Sequence, residues 1–299
     1  MIPNILFYMN ENTEEKLLIL NKIGLIPGPG ESKEAFLERA EYCLHSTNHL
    51  PEEISSDISS DFFHPEVLDS PINDVSELYD IAPAWIPVIY SNHQLPLWHG
   101  GCAWIYQLKE NDPTTSLIQL RRQFKDSSRY LGIYDRKELL AHELCHVGRM
   151  MFQEPKFEEV LAYRTSSFSF RRFFGPLVQS SVESLIFLLM IFIILVFDIF
   201  LVATNRPEAY TLALWLKLIP AALIAATLVR LWKRQRTFQK CVDCLTDAVG
   251  QKNAYPVAYR LTDAEIDLFS KITVEEVKEY ATTYAVQELR WSVIQEAYF

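Results

Sequence analysis

The sequence predicts an α+β fold in which a short antiparallel sheet and several helices are joined to a two-helix transmembrane hairpin. Three observations lead to this prediction. Short β-branched and aromatic segments separated by turns occupy residues 85–124. Segments with apolar residues at helical spacing surround them. Two apolar runs follow, at 184–203 and 209–232, and each is long enough to cross a hydrocarbon core of about 30 Å.

Composition limits the function classes that the chain can belong to. The 299 residues are 49% hydrophobic and 22% charged, which is typical of a folded protein with a sizeable core. The formal net charge of −10 excludes nucleic acid as a partner, because phosphate binding needs a basic surface. The first residues resemble neither a signal peptide nor a transit peptide, so we expect synthesis in the cytoplasm.

The first of four predicted regions, residues 1–82, is acidic and mostly helical. Thr13 is a suitable cap for a short helix that reaches residue 25, and Ser32 for a second amphipathic helix. Prolines punctuate residues 50–82, where we expect only short helical pieces.

The second region, residues 83–175, is predicted to form a compact core. Three strands are expected on "AWIPVIYSN", "GCAWIYQLK" and "SLIQLRRQF", paired antiparallel. Helices are expected on "YDRKELLAHELCHVGRMMF" and "KFEEVLAYRTSSFSFRRFF", with Pro155 interrupting the helical pattern between them. The last region, residues 233–299, should be helical, with two helices in its final forty residues.

The third region, residues 182–232, is predicted to cross a membrane and return through the short link "TNRPE". Basic residues cluster before the first apolar run and after the second, so the positive-inside rule places both soluble flanks in the cytoplasm. In a bacterium this membrane is the inner, or plasma, membrane. Asp198 and Lys217 are the charges within the two runs, and we expect them to pair across the hairpin.

The segment "HELCH" contains candidate metal-binding and catalytic residues. On a helix, His142 and His146 project from one face, so their ring nitrogens can share a zinc ion while Glu143 leans over it. Two adjacent glutamates follow, Glu158 and Glu159, and a turn at "QEPK" would bring either of them to the histidine face. An amphipathic helix with solvent-facing histidines is the simpler alternative, but it leaves the downstream glutamates unexplained.

The pair of histidines, with the E-x-x-A run that begins at Glu159, resembles the gluzincin metallopeptidases. The resemblance covers about thirty residues directly and extends loosely over residues 85–172. It implies a zincin-like core and a zinc ion bound by His142, His146 and Glu159, with Glu143 as general base. Many gluzincins carry Asp or Asn directly after the alanine, where this chain has Tyr163.

The resemblance implies a zinc metallopeptidase, which is a hydrolase. The apolar hairpin would anchor it in the membrane, and the positive-inside rule puts its active site on the cytoplasmic side. Its expected partners are the lipid bilayer and a peptide or protein substrate near the membrane. A regulatory or binding protein on a zincin scaffold, without proteolytic activity, is the alternative. An oxyanion-stabilising residue is expected but not assigned; the candidates are Tyr130, Tyr134, Tyr163, Arg164 and His99.

The cysteines indicate no second metal site. Five cysteines without the spacing of a small disulfide scaffold argue against a secreted disulfide framework. Cys241 and Cys244 form a lone CxxC, which we interpret as two reduced thiols on a helix, because a structural zinc site needs two further ligands. Cys145 lies off the histidine face and should pack inside.

Overall fold

A computed structural model of the chain describes residues 13–48, 50–51, 67–177, 181–205 and 210–299. It is an α+β protein with one small mixed sheet and many helices. Helices α1 (Thr13–Lys22) and α2 (Lys33–Leu44) confirm the predicted amino-terminal pair. The Ser32 hydroxyl accepts a hydrogen bond from the Ala35 amide, as expected of a helix cap.

Helix α3 (Asp69–Tyr79) is longer than the short pieces expected in this part of the chain. Its buried face consists of Pro71, Val75 and Tyr79, which follow helical spacing. Most of the preceding acidic stretch, residues 52–66, lies outside the described residues.

The sheet differs from the prediction in one pairing. It contains β1 (Val88–Tyr90), β2 (Gly101–Tyr106) and β3 (Thr115–Leu120) in the order β1-β3-β2. Strands β2 and β3 are antiparallel, as predicted, but β1 runs parallel to β3, so the wholly antiparallel sheet was wrong. β3 is buried along its whole length because it lies between the other two strands.

The parallel pairing arises from the connection between β1 and β2, which crosses the end of β3 instead of forming a hairpin. The Gln119 amide group donates to the carbonyls of Ser91 and His93. The Arg121 guanidinium donates to the His99 carbonyl over 2.9 Å and to Leu95 over 3.1 Å. These long-range bonds hold the connection across the strand end, a placement that no local pattern indicates.

A small hairpin of β4 (Arg129–Tyr130) and β5 (Tyr134–Asp135) precedes the helices that carry the histidines and the adjacent glutamates. Helix α4 (Arg136–Gly148) is capped by the Asp135 carboxylate, which accepts from two backbone amides. Helix α5 (Pro155–Tyr163) begins at its proline, which suits a first helical turn. The predicted second helix therefore ends early, and α6 (Ser169–Phe174) is a separate short helix.

Two helices are long and apolar enough to cross a membrane, α7 (Ser181–Ala203) and α8 (Tyr210–Val249). Only 6% of the most apolar window of each is buried, unlike the core helix of a soluble protein. Lys217 Nζ lies 2.8 Å from Asp198 Oδ2, which confirms the predicted ion pair. Helix α8 continues well past residue 232, where the predicted transmembrane region ends, and its last turns are part of the soluble core.

Four further helices complete the chain, and three of them lie in the final forty residues, where two were predicted. They are α9 (Gln251–Tyr259), α10 (Asp263–Phe269), α11 (Val274–Ala285) and α12 (Leu289–Tyr298). Capping boxes at Thr262 and Thr273 start α10 and α11 separately. Buried residues from the amino-terminal, central and carboxy-terminal regions form one hydrophobic cluster, which packs around α4 and α5.

Candidate metal centre

The two histidines of α4 face each other one helical turn apart. Their ring centroids are 5.0 Å apart, and the Nε2 atoms of His142 and His146 lie 3.3 Å from one another. Leu140 and Leu144, on the opposite side of the helix, are buried, and so is Cys145, as predicted. The amphipathic pattern of the helix therefore turns both imidazoles toward the same point.

Helix α5 folds back beside α4 and supplies a carboxylate to that point. Glu159 Oε2 lies 3.6 Å from His142 Nε2, and Glu159 Oε1 lies 3.7 Å from His146 Nε2. One ligand atom from each of these three residues lies within 4.8 Å of the others. Of the two adjacent glutamates, Glu159 is therefore the one that faces both Nε2 atoms.

Glu158 contacts the far side of His146, a role that the sequence reasoning missed. Its Oε1 lies 3.0 Å from His146 Nδ1, and its Oε2 accepts from Arg149 Nε over 2.6 Å. Burial alone would raise the pKa of Glu158, but Arg149 and His146 lower it below its usual value. An ionised carboxylate only accepts hydrogen bonds, so Nδ1 carries a proton and Nε2 is the ring nitrogen that faces Glu159.

Arg149 connects this arrangement to the carboxy-terminal part of the chain. Its Nη1 donates to the Tyr259 carbonyl over 2.5 Å and to the Leu261 carbonyl over 3.0 Å. The side chain is fully buried. The end of α9 and the residues that follow it therefore hold Arg149 in place. Arg149 in turn holds Glu158, and Glu158 orients the ring of His146.

Glu143 lies beside the histidines and is held by the sheet. Its Oε2 accepts a hydrogen bond from the Ala103 amide of β2 over 2.8 Å, and the residue is 6% exposed. Burial raises the pKa of Glu143 and nearby Glu159 raises it further, whereas His146 and the Ala103 bond act in the opposite direction. Because the sheet engages only Oε2, Oε1 remains available to a water molecule.

The two histidines differ in their protonation. Burial, assisted by neighbouring His146, lowers the pKa of His142 well below its usual value, so this ring is neutral. Burial would also lower the pKa of His146, but the hydrogen bond and charge of Glu158, together with Glu159 and Glu143, raise it to about 9. In the metal-free protein His146 is therefore an imidazolium.

These residues line a cleft of about 670 Å³. One wall is β2, through Cys102, Ala103 and Ile105, and the other is formed by α4 and the start of α5. The volume is that of an ordinary small-molecule or peptide site. Glu143 and the three converging side chains therefore line an open cleft.

None of the five oxyanion candidates is among the residues that line this cleft. Tyr163 comes nearest to the centre, because its ring packs edge-on against His142 with centroids 4.5 Å apart. Burial and the neighbouring Glu159 raise the pKa of Tyr163 to about 12, so its hydroxyl stays protonated. Tyr130 donates instead to the Leu97 carbonyl, and Arg164 donates to Gln235.

The cysteine pair lies elsewhere, on α8, where both thiols are free and Cys241 is buried. Among the described residues, the one group of histidine, cysteine and acidic side chains that could hold a metal ion is His142, His146 and Glu159. Comparison of the chain with known protein families, with curated proteins and with solved structures finds no match.

Proposed function

We propose that this chain is a membrane-anchored zinc metallopeptidase that hydrolyses peptide bonds on the cytoplasmic side of the membrane. The observation that carries the proposal is the convergence of His142, His146 and Glu159 beside Glu143 in an open cleft. Two imidazoles and one carboxylate are the ligand set of many catalytic zinc sites, which keep one coordination position open. Structural zinc sites are instead closed and rich in cysteine.

The donor chemistry fits a divalent cation. The two Nε2 atoms and the Glu159 carboxylate converge on one point, and an ion there would take the place of the Nε2 proton of His146. His142 is already neutral, and Glu158 holds the Nδ1 proton of His146, so that Nε2 is the nitrogen that loses its proton and binds the ion. In this proposal His142, His146 and Glu159 hold zinc.

Bound zinc would supply Lewis acidity, which lowers the pKa of a water molecule toward 7 and polarises the scissile carbonyl. Glu143 would take a proton from the attacking water and pass it to the departing amine, so that the peptide ends as a carboxylate and an amine. The Ala103 amide positions Glu143 for both steps by holding Oε2. The β2 wall of the cleft would receive the substrate backbone.

The alternative is a regulatory or binding protein on the same scaffold. The buried carboxylate of Glu143 favours the enzyme, because a purely structural metal site needs no proton acceptor beside it. The two functions differ in one measurable property, since only the enzyme turns over peptide substrates.

The enzyme is tested with the full chain purified in detergent. We expect about one zinc ion per chain and hydrolysis of an unbiased peptide library. Glu143→Gln should keep the zinc and lose hydrolysis, whereas His146→Ala should lose both. If wild type and Glu143→Gln are equally inactive but bind zinc, the binding-protein alternative replaces the enzyme.

The membrane topology is tested separately in intact cells. We propose that α7 and α8 span the membrane with both flanks in the cytoplasm, because basic residues follow α8's apolar part and precede α7. A cysteine at Asn205, in the link, should react with a membrane-impermeant thiol reagent applied outside. A cysteine at the exposed Glu279 should not react, and labelling at Glu279 would overturn the cytoplasmic assignment.

A further inference from the structure

Eight large apolar side chains outside the two long helices are exposed and lie in three neighbouring segments. Leu97 is 76% exposed, Ile133 is 61% exposed and Phe170 is 71% exposed. We call the set the aromatic face; its members are Leu97, Trp98, Leu131, Ile133, Phe168, Phe170, Phe173 and Phe174. Soluble proteins rarely expose contiguous apolar patches of this kind without a partner.

Hydrogen bonds hold the three segments side by side. The Tyr130 hydroxyl donates to the Leu97 carbonyl over 2.5 Å, which ties the β4–β5 hairpin to the segment before β2. The Arg171 guanidinium of α6 donates to the Ile133 carbonyl at the tip of the same hairpin. The three segments of the aromatic face are therefore neighbours in space.

Two apolar side chains, Leu131 and Ile133, are exposed at the tip of the β4–β5 hairpin. Leu131 adopts a φ of 52°, in the left-handed region that a leucine rarely occupies. It is 57% exposed, so burial in the protein does not compensate for this conformation. A partner that accepts apolar side chains would provide the missing burial.

The position of α6 along the axis of α8 indicates that this partner is the membrane. Gln235 Nε2 donates to the carbonyls of Arg172 and Phe173 over 3.3 and 3.4 Å, and Arg234 donates to the Pro176 carbonyl over 3.0 Å. The apolar part of α8 ends at the half-exposed Trp232, about 5 Å along the helix axis from Gln235. Tryptophan is enriched where a spanning helix leaves the hydrocarbon core. The phenylalanines of α6 thus lie where the headgroups of the membrane would be.

The charges near α6 agree with that placement. Arginines and lysines flank the aromatic face and the end of the apolar part of α8, and such residues favour the anionic cytoplasmic surface. They are Arg171, Arg172, Lys233 and Arg236. Apolar side chains with basic neighbours are the composition of surfaces that lie in the membrane interface.

We propose that the aromatic face inserts into the headgroup region of the bilayer that α7 and α8 span, as a second contact of the protein with the membrane. This rests on the membrane-anchored location in the proposed function. Glu138 in the first turn of α4 accepts hydrogen bonds from Arg171 over 2.8 Å and from Ser166. These bonds connect the aromatic face to the helix that carries the two histidines. The cleft is thereby held at a fixed orientation to the membrane surface, which suits a peptide substrate that emerges from it.

The test uses the full chain in phosphatidylcholine–phosphatidylglycerol vesicles, at no more than one copy per vesicle. Ile133, Phe170, Glu110 and Leu195 are replaced in turn by photo-reactive p-benzoyl-phenylalanine, and covalent lipid adducts are measured after illumination. Glu110 is the matched control, because it is exposed but follows β2 at the end opposite Gly101, about 20 Å away along the strand.

We expect lipid adducts at Ile133 and Phe170 comparable to those at Leu195 in α7, and several-fold above those at Glu110. Adducts at Leu195 with none at Ile133 and Phe170 would show that the aromatic face does not insert into the bilayer, although α7 does lie in the membrane. Adducts at none of these positions would overturn the anchor itself. Protein–protein adducts at Ile133 in place of lipid adducts would mean that a second copy covers the face, and would also overturn the proposal.

Discussion

Nδ1 of His146 lies 3.0 Å from Oε1 of Glu158, and this contact turns the opposite ring nitrogen toward His142 and Glu159. A carboxylate hydrogen-bonded to a metal-binding histidine fixes the ring and makes it a stronger ligand. The relationship explains why two adjacent glutamates occur here, since one faces the proposed ion and the other faces the histidine.

Replacing Glu158 should weaken zinc binding without abolishing it. In Glu158→Gln the amide oxygen can still accept from Nδ1, but the charge is lost, and we expect zinc affinity to fall about 10–100-fold. Competition with a chromophoric chelator measures this. Glu154→Gln is the control, because Glu154 lines the same cleft but accepts from the Asp263 amide. Equal zinc affinity in the two variants would contradict the supporting role of Glu158.

Zinc binding should release a proton. The pKa of His146 is raised to about 9 in the metal-free protein, so near neutral pH the ring is protonated and must lose its Nε2 proton to bind a metal. Apparent zinc affinity should therefore rise with pH until about pH 9. Calorimetry in buffers of different ionisation enthalpy should show about one proton released per zinc. Buffer-independent heats would contradict the raised pKa.

The carboxy-terminal helices should lose stability in acid. Glu265 accepts from both Nη atoms of Arg290 over 2.9 Å and from Trp291 over 2.6 Å. Burial alone would raise the pKa of Glu265, but Arg290 leads the interactions that lower it below 4.5. A depressed carboxyl pKa stabilises the fold above the unfolded value, and this stabilisation disappears as the pH falls through the folded value.

Glu265→Gln should therefore lower the free energy of unfolding by about 1.5–3 kcal/mol near neutral pH, because Arg290 keeps its ion pair with Glu288 but loses the charged acceptor of its bonds to Glu265. It should also reduce the loss of stability below about pH 4.5. Thermal unfolding followed by circular dichroism measures both effects. Glu276→Gln is the matched control, since Glu276 occupies the same capping-box position in α11 but is exposed. The same acid sensitivity in Glu265→Gln and wild type would refute this assignment.

Asp198 and Lys217 should be energetically coupled. Their side chains are 2.8 Å apart between the two apolar helices, where an isolated charge costs about 2.5–3.5 kcal/mol. We expect Asp198→Ala to destabilise the hairpin of the wild type more than that of a Lys217→Leu background. A double-mutant cycle in detergent measures the difference. If the two effects add to within about 0.5 kcal/mol, the pair contributes nothing.

The sequence pattern predicted the residues of the candidate centre whose positions depend on helix geometry and on a short connection. The spacing of His142 and His146 places them on one helical face wherever that helix packs, and the short connection to α5 brings Glu159 near them. The support of Glu158 by Arg149 could not be predicted, because Arg149 is fixed by carbonyls 110 and 112 residues further along the chain.

The pairing of the sheet and the length of the second apolar helix also depend on contacts between distant parts of the chain, which local patterns do not predict. The parallel pairing of β1 depends on the bonds of Gln119 and Arg121 to the crossing segment, which alternation of apolar residues does not reveal. Helix α8 passes through residue 232, where the predicted membrane-crossing region ends and a further helical region was expected to begin. It continues because Phe238, Cys241 and Leu245 supply a buried stripe on the polar part, and this stripe packs into the soluble core.

X-ray absorption spectroscopy at the zinc edge, on the full chain loaded with one zinc ion, tests the proposed centre most directly. We expect nitrogen and oxygen neighbours alone at about 2.0–2.2 Å, with the outer-shell scattering of two imidazoles. The signal of one imidazole should be lost in His142→Ala. Sulfur scattering near 2.3 Å, or a spectrum unchanged by His142→Ala, would mean that zinc binds elsewhere and not between His142, His146 and Glu159.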